Sequence, residues 1–376
     1  MSGYKSVDTM RTHIVMGMAV LCLWATAQGI EGTQALSADL VSPTLIERAG
    51  WTWNWQVQLP VRANEVVDRM FVFEDYLYVL TDSNLLFCLD RTTGAMRFVT
   101  PLSSQKLPVG NPTYREKKLW FMVGNEMVVV DPWAGVISER HSFAQIGNTL
   151  ECGLALNDAF IYITGSDRRL HVFSRDGYWR AFTATADNDS AIVSLSVSEG
   201  MILFATQAGN VVGMTDNRAE KVWQFDTTGA IRFGLVVSEE MAYVGSADTK
   251  LYKLDARTGR SAWPKPFPAG ARLNGPVVLG KEVVYLPAGP MGVYGLRKDT
   301  GAMIWQVPDG IGVMTETGTQ SFVLSQPGLL KVMDNKTGRQ VYSVNFNQVT
   351  RFAPMMNEPK LYAADKHGVV AAITVR

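Results

Sequence analysis

The chain has 376 residues, and its 35 Lys and Arg are matched by 35 Asp and Glu. Charged residues make up 19% of it, below the roughly 25% of an average soluble domain. A chain with no basic excess to neutralise phosphates speaks against a nucleic-acid binder, and a 47% apolar content rich in aromatics speaks against disorder.

The first element in chain order is an address. Residues 14–24 form an apolar run, preceded by Arg11 and His13 and followed by Ala25-Thr26-Ala27. A basic start, a short apolar stretch and a small-x-small end make a secretory signal. The run is shorter than the roughly 20 residues a membrane span needs; a buried N-terminal helix is the plainer alternative. Met10, just before Arg11, is a second candidate start. Cys22 lies inside the run, but Leu21 stands where a lipidation signal wants a small residue, so no lipid anchor is expected. The expectation is a signal peptide over 1–27, export to the periplasm or cell envelope, and no transmembrane span. Residues 28–50 read as a linker, with at most a short amphipathic helix within 36–48, packed on the outside and interrupted by Pro43.

From residue 51 onward an internal period organises the chain. The turn Asp90-Arg91-Thr92-Thr93-Gly94 recurs as Asp131 to Gly135, Asp255 to Gly259 and Asp334 to Gly338, with weaker copies ending at Gly177, Ala219 and Gly301. The spacing is close to 41 residues. Asp bonds the backbone ahead of it, and Gly takes the positive φ that closes the turn. Each turn lies between apolar-alternating segments such as Leu77-Tyr78-Val79-Leu80 and Leu85-Leu86-Phe87-Cys88-Leu89. Alternation of period two with closely spaced turns means strands, and this period allows four strands per unit. A lone unit cannot bury its apolar faces, whereas units stacked radially cover each other, which predicts an all-β propeller of four-stranded blades.

The last repeat, 350–375, supplies three strands and lacks a fourth. Trp53-Asn54-Trp55-Gln56-Val57 copies Ile304-Trp305-Gln306-Val307, so the N-terminal strand is expected to close the last blade. Residues 51–376 then make eight blades.

Catalytic signals are sparse. Cys88 and Cys152 are too few for a disulfide framework and fall in different blades, so both are expected to stay free. His141, His171 and His367 lie in three blades and are expected on loops or outer strands. Asp187-Asn188-Asp189-Ser190 lacks the Gly and distal Glu of a calcium loop and reads as a solvated turn. No nucleophile elbow, Walker loop or His-Glu-x-x-His occurs. One constellation stands out. Stepping back from the second-strand aromatic to the start of the innermost strand reaches Arg232, Arg351 and, two residues further out, Arg272, with Glu151 at the same step in another blade. Two or three guanidinium groups near one mouth of the ring are a candidate site for an anion or a partner's acidic loop; the alternative is that each ties neighbouring blades together.

The pattern strand–Asp-x-x-Thr-Gly–x-x-x-Trp resembles the repeat of pyrroloquinoline-quinone (PQQ) proteins, and eight blades with a shared last blade resemble the BamB-type outer-membrane assembly propellers. The resemblance implies that an aromatic four residues after the turn glycine docks one blade on the next, a role that falls here to Trp55, Phe98, Trp223, Trp263, Trp305 and Tyr342. Blade two offers Glu139 there instead. It implies a non-catalytic, monomeric scaffold that binds envelope or outer-membrane proteins and needs no cofactor. The alternatives are a PQQ-dependent quinoprotein dehydrogenase, for which no vicinal cysteines or acid cluster are present, and a ligand-sensing propeller.

Overall fold

The computed structural model describes residues 39–147 and 149–376; the expected signal, 1–27, with Cys22, lies outside the described residues. The strand-and-turn repeat folds as eight four-stranded antiparallel sheets, arranged as the blades of a propeller. Blades one to seven cover 67–101, 113–142, 149–185, 192–226, 231–268, 278–307 and 310–345. Within each, the strands run from the innermost to the outermost in chain order. Blade eight takes three strands from 351–374, and its outermost strand is β1, Thr52–Gln58, paired antiparallel with Val369–Thr374 from Thr52↔Thr374 to Gln58↔Val369. The N-terminal strand thus closes the ring.

The turn chemistry is local and repeated. Asp90 accepts from the N–H groups of Thr92 and Thr93, and Asp255 from those of Arg257 and Thr258, while Gly94 and Gly259 adopt φ of 75° and 68°. The residue after the Asp position ties this turn to the one joining the first two strands of its own blade. Arg91 N–H donates to Asp75, Ala256 to Glu240, Lys298 to Glu282 and Asn335 to Thr319, in each case at the carbonyl. Both turns therefore lie at one face of the ring.

Above these turns runs a second regularity, a row of three residues crossing strands two, three and four. It reads Tyr78–Cys88–Phe98 in blade one, Tyr162–Val172–Phe182 in blade three, Leu203–Gly213–Trp223 in blade four and Phe322–Val332–Tyr342 in blade seven, with cross-strand pairing at every step. Ten positions separate successive members in these blades. The outer members are bulky and the middle one small, because two rings lie over it. At Gly295, between Tyr285 and Trp305, a Cβ would run into the Trp305 ring.

The row is the docking surface between blades. The Trp55 ring lies against Gly94 of blade one so closely that a Cβ there would come within 2.6 Å, and its Nε1 donates to the Arg91 carbonyl at 3.1 Å. Trp223 donates to the Ala256 carbonyl, Trp263 to that of Lys298 (3.2 Å) and Trp305 to Asn335 Oδ1 (2.7 Å), each in the following blade. Phe98 covers Gly135 in the same way. In blade two the roles reverse, since Glu139 accepts a short hydrogen bond from the hydroxyl of Tyr178, which follows the blade-three turn glycine.

Tyr342 meets a different partner. Blade eight has no turn between its third and outermost strands, because these come from opposite ends of the sequence. Trp51 fills that place, donating from Nε1 to the Tyr342 hydroxyl at 3.1 Å and lying edge-on to Phe322. Leu40, Val41 and Ile46 are buried with it between blades seven and eight, Ile46 from the helix α1, Pro43–Arg48. One expectation is corrected here. Pro43 starts the helix rather than interrupting it, as its fixed φ and missing N–H allow at a first turn. The described part of the linker, 39–50, carries the short helix and buries Leu40, Val41 and Ile46 at the seam.

Candidate functional site

Two of the three arginines stand where the repeat register puts them, at the start of an innermost strand. Arg351 opens the strand Arg351–Ala353 and donates from Nε to the carbonyl of Asp68, in the neighbouring blade, at 2.8 Å. Arg69 repeats this one blade on, donating to the Val109 carbonyl (2.7 Å) and to Asn111 Oδ1 (2.8 Å). Arg232 is exposed on Ile231–Ser238, and Arg272 is exposed in the segment before Val278–Leu279 rather than on an innermost strand; neither makes an ion pair among the described residues. Two local irregularities mark the innermost strands. The innermost strand of blade five bulges between Ile231 and Leu235, shifting its register. Pro112, Pro276 and Pro354 accompany innermost strands of two or three residues in blades two, six and eight. The side chain of Glu151 lies outside the description.

Other sequence candidates are accounted for locally. Cys88 is buried on the third strand of blade one, and burial pushes its thiol up to about 12. Cys152 is free as well, on the innermost strand of blade three, 3.0 Å from Thr164 Oγ1. Asp187 and Asp189 pair with Lys221 and Arg168. His171 is a correction: it stands not on a loop or outer strand but buried on the third strand of blade three, where its Nε2 lies 2.9 Å from Asp167 Oδ2. Among the described residues no group of His, Cys, Asp or Glu is placed to hold a metal.

The candidate geometry that sequence reasoning missed lies across blades five, six and seven. There the docking row reads Tyr243–Lys253–Trp263, with a lysine where the other seven blades have Cys88, Val129, Val172, Gly213, Gly295, Val332 and Ala372. Those seven residues are buried; Lys253 is half-buried and opens on a cavity of about 890 Å³ at the turn face. Met241, Tyr243, Val283 and Ile304 give this cavity an apolar floor. Its rim carries Lys281, Arg297, Lys298 and Lys336 with Glu239, Glu282, Asp299 and Glu316. The blades on either side are also irregular, since the outermost strand of blade five shrinks to Phe267–Pro268 after Pro264 and Pro266, and the innermost strand of blade six is only Val278–Leu279.

The charges divide into engaged and free groups. Lys253 Nζ donates to the Lys298 carbonyl (2.9 Å) and lies 5.6 Å above the Tyr243 ring, and it has no ion-pair partner among the described residues. Burial, with the neighbouring Lys298 ammonium, holds its pKa below the usual lysine value. Lys298 pairs with Glu239 at 3.3 Å. Glu316 is committed to the Tyr285 hydroxyl and the Lys281 N–H. The Tyr243 hydroxyl is buried without a hydrogen-bond partner, and burial pushes it up to about 12. A Lys in a repeat row was readable from the sequence once the ten-residue spacing was set.

A second feature lies on blades two and three. Trp133 is 65% exposed at the tip of the blade-two turn, with the Arg97 guanidinium 4.2 Å over its ring, and Trp179 is 58% exposed beside the blade-three turn. The matching tips elsewhere are polar, as at Thr92, Asn217, Arg257, Asp299 and Lys336.

Residues 166–312 match the family model described as outer membrane protein assembly factor BamB. Among curated proteins, the serine/threonine-protein kinase AfsK of Streptomyces coelicolor is 30% identical over 267 residues, which is 68% of this chain and 26% of that protein. The chain therefore spans about a quarter of the length of that relative. Among solved structures, BamB from Moraxella catarrhalis superposes with a TM-score of 0.65 at 13% identity, over 86% of this chain and 99% of that one. The computationally designed protein Ika8 gives 0.65 at 14%, over 85% and 98%. At such identities the structural likeness is one of fold.

Proposed function

We propose that this chain, a PQQ-like repeat propeller of the BamB type, is a non-catalytic exported scaffold that binds envelope proteins, outer-membrane proteins among them. The match of 166–312 to the BamB family model supports the reading. The observation that carries it is the pair of exposed indoles, Trp133 and Trp179, on neighbouring blades. An exposed Trp beside an Arg has large area to bury and is the residue pair most enriched where binding energy concentrates. Both indoles stay more than half exposed, Trp133 even with Arg97 and Tyr76 of blade one against it, unlike the buried Trp55, Trp223, Trp263 and Trp305, whose Nε1 groups are bonded to the next blade.

The test is capture of outer-membrane proteins from cross-linked envelopes by the wild type and by a Trp133→Ala/Trp179→Ala double variant. Capture lost in the variant, with an unchanged melting temperature, is the expected result. Equal capture by both places the partner surface elsewhere, and no capture by the wild type ends the scaffold reading. Incubation with PQQ and calcium addresses the enzyme alternative: dye-linked alcohol oxidation would replace a scaffold with a dehydrogenase.

A further inference from the structure

We infer that the cavity across blades five to seven is a binding site for an amphiphilic carboxylate, whose charged end Lys253 and Tyr243 hold and whose apolar body rests on Met241, Val283 and Ile304. The inference is independent of the scaffold reading. It starts from the docking row, where seven blades place a small or apolar buried residue between two bulky ones. A lysine in that place loses hydration and gains no carboxylate. Its own ammonium is disfavoured by burial and by Lys298, so the position is a net cost to the empty protein. An anion bound there reverses the cost, because it supplies the missing counter-charge in a partly desolvated setting.

Two further observations point the same way. Lys281, Arg297 and Lys336 on the rim make no ion pair among the described residues, while Glu239 and Glu316 are already engaged. Neutral donors leave Glu316 charged, so only with Lys253 do the unpaired cations exceed the unpaired acids Glu282, Asp299 and Glu316, and then by one. The Tyr243 hydroxyl is a buried donor with no acceptor, and a buried polar group left unpaired is an exception that calls for a partner. Tyr78 and Tyr362 hold the same row position with unbonded hydroxyls, but of the three only Tyr243 lines this cavity. A carboxylate oxygen satisfies both orphans at once, accepting from Tyr243 and from Lys253. The apolar floor selects an acid with a hydrocarbon or aromatic body over inorganic anions.

Titration calorimetry with hexanoate and phenylacetate, and with a blocked peptide alternating Leu and Glu, tests this on the intact protein. Hexanol and phenylethanol serve as neutral controls. The expected result is saturable binding of at least one carboxylate, no binding of the alcohols, and affinity weakened about tenfold or more in Lys253→Val. Lys253→Val restores the residue that blades two, three and seven carry at this position, so its melting temperature should not fall. Tyr243→Phe should weaken binding less and leave the fold intact. Binding of the free acids assigns a small-molecule ligand, and binding of the peptide alone assigns an acidic segment of a polypeptide. No saturable binding of any carboxylate, or equal binding by wild type and Lys253→Val, overturns the inference.

Discussion

Blades five and seven are built on the same row, Tyr243–Lys253–Trp263 in one and Phe322–Val332–Tyr342 in the other. In blade seven the middle residue is buried under both rings, and Trp51 with α1 closes the outside. In blade five the middle residue carries a charge and the row opens on a cavity. One junction has spent its shape on holding the ring together. The other holds a half-buried ammonium that has no ion pair among the described residues and opens on that cavity. Side chains that break an internal repeat therefore separate binding positions from structural ones without reference to any relative.

The severest way to break the comparison is at the closed junction. Deleting 51–58 removes Trp51 and β1 together, leaves Tyr342 uncovered and exposes the edge of Val369–Thr374. An unpaired edge recruits other chains, so size-exclusion chromatography should show oligomers in place of the monomer peak. A monomer that melts like the wild type would mean the ring does not depend on this strand. Next in size is Val332→Lys, which copies blade five into blade seven where no cavity receives the charge; unfolding in urea should show a loss of about 3–5 kcal/mol. Trp305→Ala removes a buried indole with its bond to Asn335 and should also cost about 3–5 kcal/mol. A loss under about 1 kcal/mol would show that the indole does not anchor its junction.

The converse change, Lys253→Val, should leave stability at pH 7 within about 1 kcal/mol or raise it, since an unpaired charge gives way to an apolar residue. The smallest effect is in pH. The folded-state pKa of Lys253 is lowered, so the unfolded chain holds this proton more tightly than the folded one. Stability of the wild type, measured relative to Lys253→Val, should then rise with pH through the alkaline window that ends near the ordinary lysine value of about 10.4. A difference that stays flat across that window would show Lys253 to be fully solvated.

Most of the fold was legible because it is local. An Asp that caps its own turn, a Gly with positive φ and a tryptophan four residues later each act within a short stretch, and they repeat. The closing strand was legible for the same reason, as a displaced copy of the unit. What failed were features set by distant neighbours. Pro43 looked like a helix breaker because where the helix begins is set by Leu40, Val41 and Ile46 packing between blades seven and eight. His171 looked like a loop residue because Asp167, which engages it, is recognisable only in the folded blade. Arg232 and Arg351 lie at the start of their innermost strands as the repeat predicts, whereas Arg272 falls ahead of the short strand Val278–Leu279, which follows Pro276. Glu139 gave no sign that Tyr178 would reach back to it.

The pairing of β1 with Val369–Thr374 has a consequence for the order in which the molecule assembles. Seven blades are chains of hairpins whose strands find each other across short turns. Val57 must find Val370 across almost the whole sequence, and the entropy of closing such a loop, roughly 5 kcal/mol by the logarithmic law, exceeds that of a hairpin several-fold. The strand made first during synthesis is thus the last to pair, and it waits until the final repeat has emerged. Until then the growing chain is an open crescent with one sheet edge unsatisfied and the Trp55 ring without its blade. The rate of ring closure, more than the stability of any blade, sets how long that vulnerable form persists.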